Sequence, residues 1–285
     1  MPIYNGEKYI RRALDSLLAQ DYENFELIIS DNASSDGTWQ VCQEYAAKDR
    51  CIRLNRNTRN IGVVGNFGVV LNMAHGPYFM WAAADDYWLP EFVRTMVNEL
   101  DIHHEAGVAM CAVQRILEDG SNVDTVRFSG KDNPNFKSHY QVLMGLTSPK
   151  KHKYNLFIYG LFRTSLLQKG FLLFPDVPLG DRLFMCQIAL ATHFRYVDRI
   201  LHIRTFYNQP TYVRRPSENS NKMWMEDRWV LFKSALALWR MLWRSSIIPG
   251  YRKIYIPAAI LYYSLLHLRM GVRLRRRGWK AAAVK

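Results

Sequence analysis

The sequence has few cysteines and none of the short motifs that mark several common enzyme classes. Its 285 residues include 4 cysteines, which form neither a CxxC pair nor a Cys/His cluster with zinc spacing. Reduced thiols are therefore expected, and a disulfide framework or a zinc fold is not. The patterns GxxxxGK[ST], GxGxxG, GxSxG and HExxH are also missing. Their absence argues against P-loop ATPases, dinucleotide-binding Rossmann enzymes, α/β-hydrolases and zincins.

Long apolar runs are missing as well. No stretch reaches the roughly 18 consecutive apolar residues of a membrane span. The longest candidate, Ile254 to Leu268, is too short and contains Pro257 and His267. The N-terminus carries no secretory signal. Together with the unpaired cysteines, these features predict a cytoplasmic location.

Basic residues, by contrast, are in excess. The formal net charge is +13, from 38 Lys and Arg against 25 Asp and Glu. Such a balance indicates an anionic partner: nucleic acid, an anionic membrane face or a phosphorylated substrate. The last 20 residues contain no acid, and Arg269, Arg273, Arg276 and Lys280 recur near one helical face. This tail predicts peripheral binding to the inner face of the cell membrane, at roughly 1 kcal/mol per basic residue.

Strand and helix patterns alternate over roughly the first 115 residues. The alternation predicts an α/β fold, with a mostly parallel sheet and helices on both faces. From Glu218 the pattern is helical, with a stripe from Trp229 to Trp243 that is expected to pack against the core. We therefore predict one domain over residues 1–215 and a C-terminal amphipathic helical region over 216–285.

The stretch "YFMWAAADDYWLP" places two carboxylates, Asp85 and Asp86, directly after an apolar segment. Paired carboxylates can hold Mg²⁺ or Mn²⁺, commonly together with substrate phosphates. Alternatively, one of the two acids caps the helix that begins near Pro90. One acid would suffice for a cap, so the pair favours a metal site at the carboxyl edge of the sheet, where ligands bind in such folds.

Two further acids, Asp31 and Asp181, each allow two interpretations. Asp31 follows the strand "LIIS" and could accept a hydrogen bond from a nucleobase or a ribose, although an ordinary turn within "DNASSDGT" explains it more simply. Asp181 begins a predicted helix, so it is either a plain N-terminal cap or a deprotonated general base. The residues alone do not decide between these alternatives.

Three segments follow one another along the chain: "PIYNGEKYIRRALDSLLAQDYENFELIISDNASSDGT", "NIGVVGNFGVVLNMAHGPYFMWAAADD" and "LGDRLFMCQIAL". In this order they resemble the family 2 inverting glycosyltransferases, which have the GT-A fold. The resemblance covers roughly residues 2 to 210 and is most specific in its N-terminal half. It implies transfer of a sugar from a nucleotide-diphosphate sugar to an acceptor hydroxyl with inversion, using Mg²⁺ or Mn²⁺.

The resemblance also implies roles for residues at matching positions. Asp181 is the implied general base, and Asp86 is the implied metal ligand. The implied contacts to the nucleotide sugar are Pro2, Tyr4, Glu7, Asp31, Asn60, Asn66 and Asp85. The implied acceptor is a glycan or a lipid-linked glycan of cell-surface polysaccharide synthesis. Nucleic acid is not expected as a partner, because acids at the strand ends repel phosphate in the absence of a metal.

The sequence departs from the family pattern at three places. Only Met1 precedes Pro2, so the first strand is nearly absent and the chain start is either late or truncated. Ala83 stands where many members have a further Asp. Phe206 replaces the His of an Arg-x-His pattern, which leaves Arg204 either as a diphosphate contact or as a surface arginine.

Three competing interpretations stay open at this point. A sugar-phosphate nucleotidyltransferase would need a glycine- and arginine-rich loop near the N-terminus, which "PIYNGEKY" does not provide. A basic binding module would explain the charge but not the acids at the strand ends. An inactive or truncated transferase-like protein that binds membranes or phosphate would explain the short first strand.

Overall fold

The computed structural model describes residues 1–147, 152–172, 174–175, 180–206 and 228–261. The chain forms two compact units, which are described separately. The first comprises Met1–Lys137, Leu156–Leu172 and Thr192–Gln209, and the second comprises Ser138–Asn155, Leu173–Ala191 and Pro210–Lys285. The predicted domain boundary between residues 215 and 216 lies outside the described residues, as does the predicted basic tail.

The helices and strands are numbered in chain order. They are β1 (Pro2–Ile3), α1 (Ile10–Leu18), β2 (Leu27–Asp31), α2 (Thr38–Ala46), β3 (Ile52–Arg56), α3 (Gly62–Met73), β4 (Tyr78–Phe79), β5 (Tyr87–Trp88), α4 (Phe92–Ile102), β6 (Ala106–Leu117), β7 (Asn122–Val126), α5 (His139–Thr147), β8 (Leu161–Arg163), α6 (Thr164–Phe171), α7 (Gly180–Ala191), β9 (His193–Phe206) and α8 (Arg228–Arg244). Short 3₁₀ helices cover Gly130–Asp132, Pro134–Phe136, His152–Tyr159 and Gly250–Tyr255.

The N-terminal part of the first unit confirms the predicted alternation of strands and helices. Its sheet is parallel, in the order β1-β2-β3. Every residue of β2 is buried, as expected for a strand covered on both faces. Helix α1 buries Ile10, Leu14 and Leu17, and each such burial stabilises the fold by about 1.5–3 kcal/mol. The register brings Asp31, the last residue of β2, opposite Arg56 of β3.

The second sheet of this unit is mixed, so the predicted parallel arrangement holds for the first sheet and for the long β6–β9 pair of the second. Its order is β4-β8-β6-β9-β5, with β7 on β6, and only the β6–β9 pair is parallel. The β6–β7 hairpin is one cause: Gly120 has a φ of 84°, and its N–H donates to the carbonyl of Leu117 to close the turn. The other antiparallel pairs join strands far apart in sequence, which local patterns cannot reveal.

The second unit is helical. Helix α7 packs against both α5 and α8, and its residues from Leu183 to Leu190 are all buried. Helix α8 buries Leu238, Met241 and Leu242 but leaves Trp239 and Trp243 exposed. The expectation that the tryptophan stripe packs into the core is therefore wrong for these two residues, because the helix turns a leucine and methionine face inwards instead. In the part of the chain that the structure describes, no helix is long and apolar enough to cross a membrane.

Candidate active site

Asp31 ends β2 as a fully buried carboxylate. Arg56 Nε lies 3.0 Å from its Oδ2, and the backbone N–H of Ser34 donates to Oδ1 at 3.1 Å. The Arg56 guanidinium lies over the Trp39 ring, 5.3 Å from its centroid, a cation–π geometry. The local turn predicted for Asp31 is thus present together with an ion pair. Sequence reasoning missed Arg56 and Trp39, because neither stands in a recognisable motif.

The turn from β1 to α1 lies beside this strand end. Pro2 belongs to β1, and Tyr4 is 43% exposed. Asn5 has a φ of 49°, a conformation uncommon for non-glycine residues. The N–H of Gly6 donates to Thr38 Oγ1 at 2.8 Å, and Glu7 Oε2 accepts from the Gly37 N–H at 2.8 Å. Glu7 therefore ties this turn to the start of α2.

A network of asparagines links β2, β3 and the start of α3. Asn66 is buried, and its Oδ1 accepts from Ser30 Oγ at 2.7 Å and from Asn57 Nδ2 at 3.0 Å. Its Nδ2 donates to the Ser30 carbonyl at 2.9 Å. Asn60 is exposed and accepts from Asn32 Nδ2 at 2.9 Å. Of the two predicted loop residues, Asn60 faces solvent and Asn66 is an internal hydrogen-bonding centre.

The apolar run before the two acids is anchored by Trp81. Only Tyr78 and Phe79 of this run pair as a strand. Trp81 is fully buried, and its ring packs against those of Phe67 and Phe162, among others. This aromatic packing holds the segment that presents Asp85 and Asp86, although most of it is not in the ladder.

Asp86 is buried and bound by groups of β9. Its Oδ2 lies 2.9 Å from His202 Nε2, and its Oδ1 accepts from the Thr205 N–H at 3.3 Å. Because a carboxylate can only accept, His202 Nε2 must carry the proton. His202 is fully buried and stacks on Trp88, with ring centroids 5.2 Å apart and planes 8° apart. Both oxygens of Asp86 are thus engaged by the protein.

Asp85 lies in a different environment. It is half-buried, and among the described residues no side chain donates a hydrogen bond to its carboxylate. Burial and then the neighbouring charge of Asp86 raise the pKa of Asp85 to about 6. A carboxylate that is costly to ionise is one that a bound cation would stabilise.

Two arginines lie close to this pair of acids. Arg12 Nη2 donates to Thr205 Oγ1 at 2.6 Å and to the Asp85 carbonyl at 3.3 Å, and the guanidinium covers the Tyr87 ring at 4.6 Å. Arg204 lies over the Tyr159 ring at 5.1 Å, and its charge lowers the pKa of Asp85 against the larger raising effects. Both arginines belong to the first unit and give its acid-rich edge positive charge.

Asp181 lies in the second unit, in the first turn of α7. Its Oδ2 accepts from Asn155 Nδ2 at 2.8 Å, and its Oδ1 accepts from the Arg182 N–H at 2.8 Å. The second bond joins neighbouring residues inside the first turn of the helix, and it is not the bond to the N–H two or three residues further on that an N-cap makes. The carboxylate of Asp181 therefore lies beside the partial positive charge of the helix N-terminus.

Among the described residues, no group of three or more His, Cys, Asp or Glu side chains could hold a metal ion. One carboxylate together with substrate oxygens is nevertheless an ordinary arrangement for Mg²⁺. Asp85 fits that arrangement better than Asp86, whose two oxygens already accept hydrogen bonds.

Comparison with known proteins shows the family of this chain. The family model described as "Glycosyl transferase family 2" matches residues 1–171. The chain belongs to this family. An uncharacterized protein of Mycobacterium bovis is 43% identical to this family 2 chain over 121 residues, covering 41% of the chain and 35% of the relative. The chain thus matches only about a third of that relative's length.

Solved structures resemble this family 2 chain over nearly its whole length. S. aureus TarS 1–349 in complex with UDP-GlcNAc has a TM-score of 0.66 and 20% identity, covering 92% of this chain and 70% of TarS. The mannosyltransferase PcManGT from Pyrobaculum calidifontis, in complex with GDP-Man and Mn²⁺, has a TM-score of 0.54 and 18% identity, covering 99% of this chain and 79% of that protein. These likenesses confirm the predicted GT-A fold.

Proposed function

We propose that this protein transfers a sugar from a nucleotide-diphosphate sugar to an acceptor hydroxyl. The observation that carries the proposal is Asp85: a half-buried carboxylate with a raised pKa, beside Asp86, in a family 2 domain. Both similar structures were solved with a nucleotide sugar, UDP-GlcNAc in one and GDP-Man in the other. In a family 2 chain, a carboxylate like that of Asp85 is suited to act, through a metal ion, on the diphosphate of a nucleotide sugar.

The donor site is assigned to the edge formed by the β1–α1 turn and the end of β2. Asp31, held by Arg56, is proposed to contact the base, and the exposed ring of Tyr4 and the Trp39–Arg56 stack offer flat surfaces beside it. Pro2, Glu7 and Asn60 are proposed to line the nucleoside. Asn66 is assigned a supporting role, because its amide is already bonded within the protein.

Asp85 is the proposed ligand for Mg²⁺ or Mn²⁺, together with the donor diphosphate, in place of Asp86, whose two oxygens already accept hydrogen bonds. PcManGT was solved with Mn²⁺, which supports a divalent cation in this fold. Such an ion would neutralise charge on the departing nucleoside diphosphate. Asp86 is proposed to hold the loop in place through His202 and Thr205.

Asp181 is the proposed general base. Its carboxylate takes the proton of the acceptor hydroxyl while the acceptor oxygen forms a bond to the anomeric carbon of the sugar. The bond from that carbon to the diphosphate oxygen breaks on the opposite face, and the nucleoside diphosphate leaves with the electron pair. Attack from the face opposite the leaving group inverts the anomeric configuration. The nearby Asn155 amide orients the carboxylate through a 2.8 Å hydrogen bond.

The acceptor is proposed to be a glycan or a lipid-linked glycan of cell-surface polysaccharide synthesis. We further propose that the protein works on the inner face of the cell membrane, held at an anionic lipid surface. The excess of +13 charges supports this location. The domain division proposed from the sequence, a transferase domain over 1–215 and a helical region over 216–285, assigns the membrane role to the C-terminal region.

A donor screen tests the proposal. Purified protein is incubated with UDP-, GDP- and dTDP-sugars in Mn²⁺, Mg²⁺ or EDTA, and release of nucleoside diphosphate is recorded beside the variants Asp85→Asn and Asp119→Asn. Asp119 is an exposed acid in the β6–β7 turn and serves as the matched control. Release from one donor that needs the metal and is lost only in Asp85→Asn supports the proposal. Absence of both turnover and metal-dependent nucleotide binding for every donor contradicts it and favours an inactive transferase-like protein.

A further inference from the structure

The charge of the chain is divided unevenly along its length. Residues 228–285 hold 13 of the 38 lysines and arginines and none of the 25 aspartates and glutamates. Residues 1–227 are therefore balanced, and the whole excess of +13 resides in residues 228–285. A segment of this composition is attracted to an anionic surface.

Helix α8 shows how the described part of this segment is oriented within its unit. Leu238, Met241 and Leu242 are buried, and Gln187 Nε2 of α7 donates to Ser245 Oγ at 2.8 Å just after the helix. This side of α8 therefore faces the unit's interior.

The other side of α8 carries two parallel stripes. Trp239 and Trp243 are 38% and 53% exposed, and their rings stack at 5.7 Å with planes 2° apart. Arg240 and Arg244 are also exposed, one residue further along each turn. Since residues four apart share a helix face, an indole stripe runs beside a guanidinium stripe.

A second exposed apolar segment is fixed at the end of the same helix. Tyr251 and Ile254 of the 3₁₀ helix Gly250–Tyr255 are 73% and 75% exposed. Lys253 Nζ donates to the Trp243 carbonyl at 2.8 Å, and Arg252 Nη1 donates to the Leu190 carbonyl at 3.0 Å. These bonds hold the segment to the ends of α8 and α7, so its apolar side chains are presented by a structured element.

We propose that the surface formed by Trp239, Arg240, Trp243, Arg244, Tyr251 and Ile254, called the indole–arginine surface below, docks on an anionic lipid bilayer. Indole and phenol rings suit the headgroup level of a bilayer, where an apolar body and a polar edge are both satisfied. The arginines keep their charged heads at lipid phosphates while their stems cover apolar surface. This surface rests on the proposed function: docking on a bilayer would bring the transferase to a lipid-linked acceptor.

Charge decides between a bilayer and a second copy of this chain. In a symmetric dimer the same surface lies on both sides of the interface. Two indole–arginine surfaces facing each other would oppose arginine to arginine, with no acid in residues 228–285 to compensate. An anionic bilayer supplies the opposite charge together with an apolar layer for Ile254 and the indoles.

Vesicle sedimentation of the full-length protein tests the inference. The vesicles are phosphatidylcholine alone or phosphatidylcholine with phosphatidylglycerol, at low and high salt. Two double variants are compared with the parent. The tryptophan variant carries Trp239→Ser and Trp243→Ser, and the arginine variant carries Arg240→Gln and Arg244→Gln. The control is Ile102→Ser with Phe136→Ser, which removes two large apolar side chains that are 71% and 83% exposed elsewhere. Thermal unfolding checks that each variant is folded.

We expect the tryptophan variant to lower the bound-to-free ratio on anionic vesicles by at least about tenfold. The arginine variant should lower it as well and weaken its salt dependence, while the control binds like the parent. Equal binding of parent and tryptophan variant overturns the inference and leaves the remaining basic residues as the membrane contact. A parent dimer that the tryptophan variant converts to a monomer, without vesicle binding, overturns it in favour of a second copy.

Donor turnover, measured separately in vesicle-free solution, keeps the two proposals distinguishable. Metal-dependent release of nucleoside diphosphate without vesicle binding would overturn the proposed docking surface and support the proposed transferase. Vesicle binding that depends on the two tryptophans, without turnover of any donor, would overturn the proposed transferase and support the proposed docking surface.

Discussion

Asp86 and His202 lie 116 residues apart in sequence and are joined by a 2.9 Å hydrogen bond. Both are buried, and Trp88 covers the imidazole face. The bond fastens the loop of the paired acids to β9, the strand that also carries Arg204. Asp85, the next residue in the chain, keeps a carboxylate that no described side chain binds. The two adjacent acids therefore have different surroundings: Asp86 fixes the loop to β9, and Asp85 is left as the proposed metal ligand.

The Asp86–His202 pair gives the first prediction. His202→Phe keeps an aromatic ring against Trp88 but leaves Asp86 Oδ2 buried without its donor. We expect the free energy of unfolding to fall by about 2–3 kcal/mol in urea denaturation, since an unpaired buried charge is costly. His202→Gln, which can still donate, should recover part of the loss. An unchanged unfolding midpoint for His202→Phe would contradict this role.

Asp85→Asn should abolish metal-dependent turnover and yet stabilise the protein. The folded-state pKa of about 6 lies above the ordinary 3.8, so the folded protein binds more protons than the unfolded chain between these values. The free energy of unfolding of the wild type therefore falls, relative to that of the variant, as pH rises from about 4 to 6. At pH 7 the variant should be more stable by on the order of 2 kcal/mol. Urea unfolding in EDTA across this range measures it. A variant equally stable to wild type at pH 4 and pH 7 would refute the assignment.

Arg56→Ala should weaken both the fold and donor binding, because it removes the cation paired with the buried Asp31. We expect a loss of about 2 kcal/mol in unfolding free energy and a smaller thermal shift with nucleotide. Arg11→Ala is the control, since Arg11 and Glu44 form an exposed ion pair, 2.8 Å apart, worth less than about 1 kcal/mol. Equal losses in the two variants would argue against a special role for Asp31.

Asn66→Ala and Asn60→Ala separate the internal network from the proposed donor contact. Asn66→Ala should lower the unfolding free energy by about 2–3 kcal/mol, because the buried Ser30 and the half-buried Asn57 lose their hydrogen bonds. Asn60 is exposed, so Asn60→Ala should change stability by less than about 1 kcal/mol and raise the KM for the donor. A large loss of stability in Asn60→Ala, with none in Asn66→Ala, would reverse these assignments.

Asp181→Asn should lower kcat by about 10²–10⁴-fold while donor binding stays within about twofold of wild type, as expected for loss of a general base. Asn keeps a side-chain oxygen that can accept from the Arg182 N–H, so the start of α7 should stay folded. Steady-state kinetics with the donor found in the screen provide the measurement. A raised KM with an unchanged kcat would make Asp181 a binding residue.

Much of the first unit could be predicted because its signals are local. The buried stripe of α1 and the all-buried run of β2 are visible as periodicity within a few residues. The acids Asp31 and Asp85 stand out for the same reason, since each follows an apolar segment. The groups around them could not be predicted: Arg12, Arg56 and His202 occur in unremarkable local sequence and reach the acids only through the fold.

Local sequence therefore determined most helices and strands of the first 115 residues, because each depends on neighbours within a few residues. The sequence also determined the excess of basic residues near the C-terminus and the positions of the acids. Tertiary structure alone decided which strands pair, and so made the second sheet mixed. It also decided that Asp86 is bound by His202 while Asp85 is not, and that Trp239 and Trp243 face outwards. These outcomes depend on contacts between segments far apart in the chain, because burial, charge pairing and packing all depend on which segments come together.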